Sequence, residues 1–246
     1  MRGDFTLQAE AYGKSRPGYP RQLIDALVGD ASVKAGDAVV DLGAGTGILT
    51  RQLVERGFRV AAVEPNAEMR DRADRRGAEW IDGSFEETRL PSDSQKWAVA
   101  AQAFHWADPA RALPEIHRIL KRGSHLTLLW NIKRMDANAV LSWTAAAVDR
   151  HVPGFREAYD GADWPSVLES TGHFRFVGKR SVSHYEPMSR SRFLDLWRSH
   201  HWLRQSASPN AMNALLTELE ACLTSLDDEE IHVPYECVAW SAVRID

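Results

Sequence analysis

The run Val39-Val40-Asp41-Leu42-Gly43-Ala44-Gly45-Thr46-Gly47-Ile48-Leu49 decides the fold. Its first half is β-branched and apolar, the pattern of a strand buried on both faces, and it passes directly into glycines. Behind them Leu49, Leu53 and Val54 recur at helical spacing until Gly57 ends the pattern. The unit is therefore a strand from Ala38 to Leu42, a loop, and a helix from Ile48 to Arg56. Gly43 and Gly45 permit positive φ and a backbone approach that a Cβ would block, and the helix start offers N–H groups without intrahelical partners. Such a loop receives a polar ligand.

Working outward, Arg59 to Glu64 reads as a second strand, Ala67 to Arg76 as a polar helix stopped by Gly77, and Ala78 to Gly83 as a short third strand. Trp97 to Phe104 forms a fourth strand, Pro109 to Leu120 a helix and His125 to Asn131 a fifth strand. Strands separated by helical patterns imply right-handed crossovers and a parallel sheet covered on both faces, which is the α/β class. Beyond Asn131 helical stretches at Ala137 to Arg150, Trp164 to Thr171, Arg190 to Gln205 and Pro209 to Leu226 surround two longer strand-like runs, Phe174 to Tyr185 and His232 to Ile245. These two are long enough to pair antiparallel at one sheet edge, which makes the helices near 190–226 an insertion placed to cap a ligand cleft.

Glu64 closes the second strand at about the distance past the glycines expected of a carboxylate that accepts from ribose hydroxyls. Nicotinamide dinucleotides use the same unit, so an oxidoreductase is the competing enzyme. A dinucleotide loop, however, reads G-x-G-x-x-G/A, and here Ile48 takes the third small position. Asp41, two residues before the first glycine, suits a cationic ligand and would repel a pyrophosphate.

The stretch Asp41 to Gly47 resembles motif I of class I S-adenosylmethionine-dependent methyltransferases, and Val63-Glu64-Pro65-Asn66-Ala67-Glu68-Met69 resembles the motif that follows it. Tyr12-Gly13-Lys14-Ser15-Arg16-Pro17-Gly18-Tyr19-Pro20 and Ala101-Gln102-Ala103-Phe104-His105-Trp106 are similar to the type 11 branch that includes the trans-aconitate methyltransferase-like proteins. The resemblance spans residues 8 to 131 well and the remainder in outline. It implies a Rossmann-like, doubly wound seven-stranded sheet, mostly parallel with an antiparallel last strand, plus a helical cap insertion. It implies one methyltransferase domain over 1–246, with an N-terminal segment over the cofactor (1–35), a cofactor-binding half (36–131) and a substrate-side half (132–246). S-adenosyl-L-methionine is the implied cofactor. Tyr12, Arg16, Asp41, Gly43, Ala44, Gly45, Glu64, Pro65, Met69, Ser84, Phe85 and Gln102 are the implied cofactor-binding residues. Ser84 stands where many relatives carry an acid that accepts from the adenine amino group, and Lys121-Arg122-Gly123-Ser124 departs from the usual Arg-Pro-Gly-Gly turn.

Methyl transfer from a sulfonium needs positioning and exclusion of water, with a base only where the acceptor carries a departing proton. His105 and Trp106 follow the fourth strand and are the catalytic candidates. His105 acts as a general base, orients a substrate atom, or only shapes the pocket; Trp106 forms a flat wall, a cation-π contact to the sulfonium, or core packing. Arg16 pairs with a carboxylate of the cofactor or of an acidic substrate, or is a solvated surface residue. Trp143, Trp164, Trp197 and Trp202 line an aromatic pocket for a planar substrate or pack helices together. His200-His201 lacks a spaced partner with ligand geometry, so no metal is expected. Gly13-Lys14-Ser15 lacks the first glycine and the strand of a phosphate loop.

The 246 residues are 44% hydrophobic and 26% charged, enough for one large core. A net charge of -4 provides no strong cationic field for nucleic acid. Neither Cys222 nor Cys237 belongs to a C-x-x-C or zinc-spaced set, which fits a reducing cytoplasm. No apolar run approaches the roughly 20 residues needed to cross a bilayer, and the start has no secretory h-region. The expectation is a cytoplasmic enzyme acting on an O, N or carboxylate acceptor of a small metabolite, without nucleic-acid or membrane partners. A cofactor-binding regulatory subunit without turnover is the other alternative. Oligomeric state and acceptor identity are not encoded in these patterns.

Overall fold

The computed structural model describes residues 16–155, 161–226 and 228–246. Its centre is a seven-stranded sheet built from β1 (Ala38–Leu42), β2 (Arg59–Val63), β3 (Ala78–Ile81), β4 (Gln95–Ala101), β5 (Leu120–Lys133), β6 (Phe174–Ser189) and β7 (Glu230–Arg244), in the order β3-β2-β1-β4-β5-β7-β6. The pairs from β3 to β5 are all parallel, whereas β7 runs antiparallel to both β5 and β6. The expected architecture is thus present, including its single reversed strand. The order turns back at β1 and β4, the switch point where a crevice opens above the carboxyl ends of the strands.

Alternation along the strands divides the core into two layers. Val39, Val60, Trp97, Val99 and Leu129 face α1 (Arg21–Asp30) and α2 (Ile48–Val54), meeting Leu23, Ile24, Leu27, Leu49 and Leu53. Val40, Leu42, Ala98, Leu128 and Trp130 face α4 (Pro109–Ile119) and α6 (Trp164–Glu169), meeting Leu113, Ile116, Trp164 and Leu168. The short α3 (Ala67–Arg72) follows β2. A buried side-chain chain crosses the sheet: Trp97 Nε1 donates to Thr127 Oγ1 at 3.0 Å, and that hydroxyl meets Ser241 Oγ at 3.0 Å. This satisfies polar atoms that the strands carry into the core.

The insertion between β6 and β7 contains α7 (Arg190–Arg198), α8 (His201–Ser206) and α9 (Pro209–Thr224). With α5 (Ala139–His151) it encloses a third cluster around Leu141, Phe193, Leu196, Trp197, Leu203, Leu215 and Leu219. The single helix expected from Arg190 to Gln205 is two, because the chain turns at Ser199 and the His200 side chain accepts from Leu203 N at 3.3 Å to start the second. The strand expected to reach Phe104 ends at Ala101, where Gln102 takes φ 56° and Phe104–Trp106 forms a 3-10 turn. The helix expected to reach Arg76 stops at Arg72, as Ala73 becomes extended and Asp74 accepts from Arg76 N. The third strand ends at Ile81, two residues short of Gly83. Both β5 and β6 are longer than periodicity indicated, and the Lys121 to Ser124 departure lies within β5 beside a register shift, at the strand's amino end.

Candidate active site

One cavity of about 380 Å³ lies above the carboxyl ends of β1, β2 and β4. Arg16, Asp41, Gly43, Ala44, Gly45, Glu64, Pro65, Met69, Ser84, Phe85, Gln102, His105 and Trp106 all line it. Tyr12, and the Gly13-Lys14-Ser15 segment, lie outside the described residues.

The glycine loop is held open from behind. Gly43 and Gly45 adopt φ 70° and 57°, conformations that side-chain-bearing residues rarely take. A Cβ on Gly43 would come within 2.7 Å of Ala103 Cβ and 3.0 Å of the Phe85 ring, so close packing accounts for that glycine. A Cβ on Gly45 would meet no atom of the described residues beyond its chain neighbours within 4 Å, although the residue lines the cavity. It would project into space that a ligand needs.

Two buried carboxylates stand beneath this loop. Glu64 Oε2 accepts from Gly45 N at 2.9 Å, across 19 residues of sequence, and Oε1 accepts from Asn66 N at 2.8 Å. Each oxygen retains acceptor capacity, since a carboxylate offers about four lone-pair sites. Burial raises the Glu64 pKa, and the two N–H donors oppose that rise. Asp41 Oδ2 accepts from Thr50 Oγ1 at 2.6 Å, whereas Oδ1 is buried without a hydrogen-bond partner among the described residues. Burial, with the Glu64 charge as a lesser contributor, pushes the Asp41 pKa up to about 7. A buried carboxylate oxygen left unmatched in this way fits a cationic ligand group.

Beyond the carboxylates the walls change character. His105 and Trp106 have ring centroids 4.9 Å apart, and Trp106 stacks on Trp202 at 4.6 Å with only 9° between the planes. His201 meets the Trp106 ring edge-to-face at 4.9 Å. Of the four tryptophans offered for an aromatic pocket, Trp202 therefore lines the cavity, while Trp164 and Trp197 are buried in the core and Trp143 packs against the insertion cluster. Glu86 also lines the cavity, two residues past Ser84; burial would raise its pKa, but the Asp108 backbone N–H, which donates to Oε1 at 3.0 Å, and the Ser84 side chain together hold it lowered. An acid is thus available near the position where the sequence offers only a hydroxyl.

The residues that sequence reasoning missed come chiefly from distant segments: Asn131 and Lys133 on β5, His200 and His201 in the insertion, and Tyr235 on β7. Asn131 is buried and links three elements. Its Nδ2 donates to Gly18 O at 3.0 Å, its Oδ1 meets His184 Nε2 at 3.2 Å, and its backbone carbonyl accepts from Gln102 Nε2 at 3.1 Å. Tyr235 had one available signal: a reversed last strand brings its first residues to the mouth of the parallel ones. His200 and His201 had only their adjacency, and among the described residues no group of His, Cys, Asp and Glu is arranged to hold a metal ion.

Residues 40–128 match the family model described as a methyltransferase domain. An uncharacterized methyltransferase of Mycobacterium tuberculosis strain H37Rv is 46% identical over 125 residues, 50% of each chain. One from Schizosaccharomyces pombe is 33% identical over 132 residues, 52% of this chain and 53% of its own. The chain thus spans about half the length of these curated relatives. Among solved structures, a chain from Anaeromyxobacter dehalogenans, provisionally named a type II methyltransferase, aligns with TM-score 0.69 at 23% identity, covering 92% of this chain and 97% of that one. The Haemonchus contortus phosphoethanolamine N-methyltransferase 2, solved with phosphomonomethylethanolamine and S-adenosylhomocysteine, aligns with TM-score 0.55 at 17% identity over 98% of this chain and 58% of its own. At these identities the structural likeness establishes the fold.

Proposed function

We propose that this chain, whose residues 40–128 are a methyltransferase domain, uses S-adenosylmethionine to methylate an O, N or carboxylate acceptor on a small molecule. The observation that carries the reading is the pairing of Gly45 with Glu64: a left-handed glycine whose missing Cβ leaves cavity space open, tied by its N–H to a buried carboxylate at the end of the next strand. The unmatched Asp41 Oδ1 adds a place for the cationic amino-acid portion. The residues present fit the group. When bound, S-adenosylmethionine supplies a methyl group on a positively charged sulfur, which departs as a neutral thioether.

The protein's own part is to bind, orient and keep water out. Glu64 accepts from ribose hydroxyls with the lone pairs its two backbone donors leave, and Met69 and Phe85 give apolar walls. Glu86 accepts from the adenine amino group, with Ser84 holding it. Arg16 and Tyr19, from the segment before β1, contribute to the cavity lining. His105 orients the acceptor atom towards the transferable methyl, and Trp106 forms the wall beside it. Where the acceptor carries a departing proton, His105 is the titratable ring placed to take it.

A nicotinamide oxidoreductase is the competing reading. Asp41 beneath the loop would face a pyrophosphate, whose charge its carboxylate repels. The experiment is a thermal-shift titration with S-adenosylhomocysteine, NAD and NADP, followed by incubation with S-adenosylmethionine and a metabolite extract. Stabilisation by S-adenosylhomocysteine alone, and a compound heavier by one methyl in mass spectrometry, are expected. Stabilisation by a dinucleotide instead would remove the proposal, and cofactor binding without any methylated product would favour a regulatory subunit.

A further inference from the structure

Among the described residues two tryptophan pairs stack face to face, and they differ in setting. Trp130 and Trp164 stack at 4.3 Å and 20° with both side chains buried in the sheet core. Trp106 and Trp202 stack at 4.6 Å and 9° while each stays half-buried on the cavity wall. The first pair has the burial of a core contact. The second joins the turn after β4 to a six-residue helix of the insertion.

Trp202 also leaves something unsatisfied there. Its indole Nε1 is buried with no hydrogen-bond partner among the described residues. An unmatched buried donor weakens the position it occupies. His105 lies 6.1 Å from the Trp202 ring and 4.9 Å from that of Trp106, so the slot filled by Trp202 borders the histidine that would orient an acceptor.

We propose that the methyl acceptor is a flat, conjugated molecule that takes the place of Trp202 against the face of Trp106. Trp202 is a stand-in for it, covering the apolar face until the acceptor arrives. This rests on the methyl-transfer reading of the same cavity. A planar conjugated ring keeps the stacking contact that Trp202 gives up, whereas a saturated ring of equal size offers no π face to Trp106 and forgoes that part of the attraction. Displacement also frees the Trp202 N–H to find an acceptor, on the ligand or in water.

The test uses intact protein saturated with S-adenosylhomocysteine, whose own binding is measured first by calorimetry. The probes are 2-naphthoate and its decahydro counterpart, which share charge and carbon skeleton and differ in flatness. Native protein is expected to bind naphthoate at least about fivefold more tightly, the scale of one aromatic pair. Trp106→Leu is expected to bring the two probes within about twofold. Trp202→Ala is expected to tighten naphthoate binding at least about threefold, because the competitor is gone.

Equal affinities in native protein, undetectable naphthoate binding at millimolar concentration, or weaker naphthoate binding by Trp202→Ala would each overturn the proposal. The S-adenosylhomocysteine affinity of both variants reports that they are folded. A native protein that takes up no S-adenosylhomocysteine would remove the methyl-transfer reading and this inference with it. One that takes it up and shows no preference for the flat probe would remove this inference alone.

Discussion

The two ends of the cavity are built by different physics. At the glycine-loop end, the key positions are fixed by hydrogen bonds and close packing: Gly45 N and Asn66 N to Glu64, Thr50 Oγ1 to Asp41, and Gly43 against Ala103 and Phe85. At the far end the wall is a set of rings, with Trp106, Trp202, His105 and His201 touching edge or face. Hydrogen bonds to buried carboxylates have narrow geometry and are costly to break, while ring contacts tolerate sliding and exchange. The loop end is thus preorganised for one ligand, and the ring end is adaptable.

If that division holds, damage at one end leaves the other intact. The largest effect is expected for Gly45→Val, which places a branched side chain in the cavity and forces it into a left-handed conformation. Cofactor affinity should fall at least about 100-fold, read by calorimetry in a protein that still folds cooperatively. Native-like affinity would show that the loop is only a turn.

His105→Ala sharpens the contrast from the other side. The methylation rate should drop about 100-fold, the scale of a misplaced reacting atom, with cofactor affinity within about twofold of native. His105→Asn should keep the rate within about tenfold, since an amide retains a donor and an acceptor. Equal collapse of both variants would assign His105 a proton-transfer role instead.

Glu64→Ala removes the acceptor for two backbone N–H groups as well as the proposed contact to ribose. A rise of about tenfold or more in the cofactor dissociation constant is expected, with little change in the affinity of an acceptor probe. Loss of acceptor binding to the same extent would mean that the two ends are coupled.

The smallest effect is one of pH. Asp41 is raised to about 7, so below that value the protein without cofactor holds an extra proton at this site. The group binds more protons folded than unfolded, so its contribution to stability declines as pH rises from the ordinary aspartate range towards 7. A cationic ligand favours the charged form, and binding below pH 7 must expel the proton. Cofactor affinity should therefore rise several-fold between pH 6 and 7 and level off above, measured by calorimetry across that range. Asp41→Asn should flatten the profile and weaken binding at its alkaline end.

The glycine loop was legible because its causes are local. A buried strand, glycines where φ is positive, a helix start and a carboxylate 19 residues past Gly45 lie within one short stretch, and each demands a particular residue type for a reason that acts along the chain. The same locality explains why element order could be read from periodicity, whereas the reversed last strand followed from the family resemblance. Strand ends were less legible, since Gln102 leaves β4 through a positive φ that its residue type does not announce. The ring end was legible only in part: His105 and Trp106 followed from their place after the fourth strand, and Trp202 was one of four candidates for an aromatic pocket. Asn131, His201 and Tyr235 stand far apart in sequence and have ordinary core or surface alternatives, and nothing along the chain separated Trp202 from Trp143, Trp164 and Trp197. Only the pairing of β7 between β5 and β6, and the turn of the insertion at Ser199, bring them to one wall. Contacts between distant segments depend on how whole elements pack, and no spacing within the chain records that geometry.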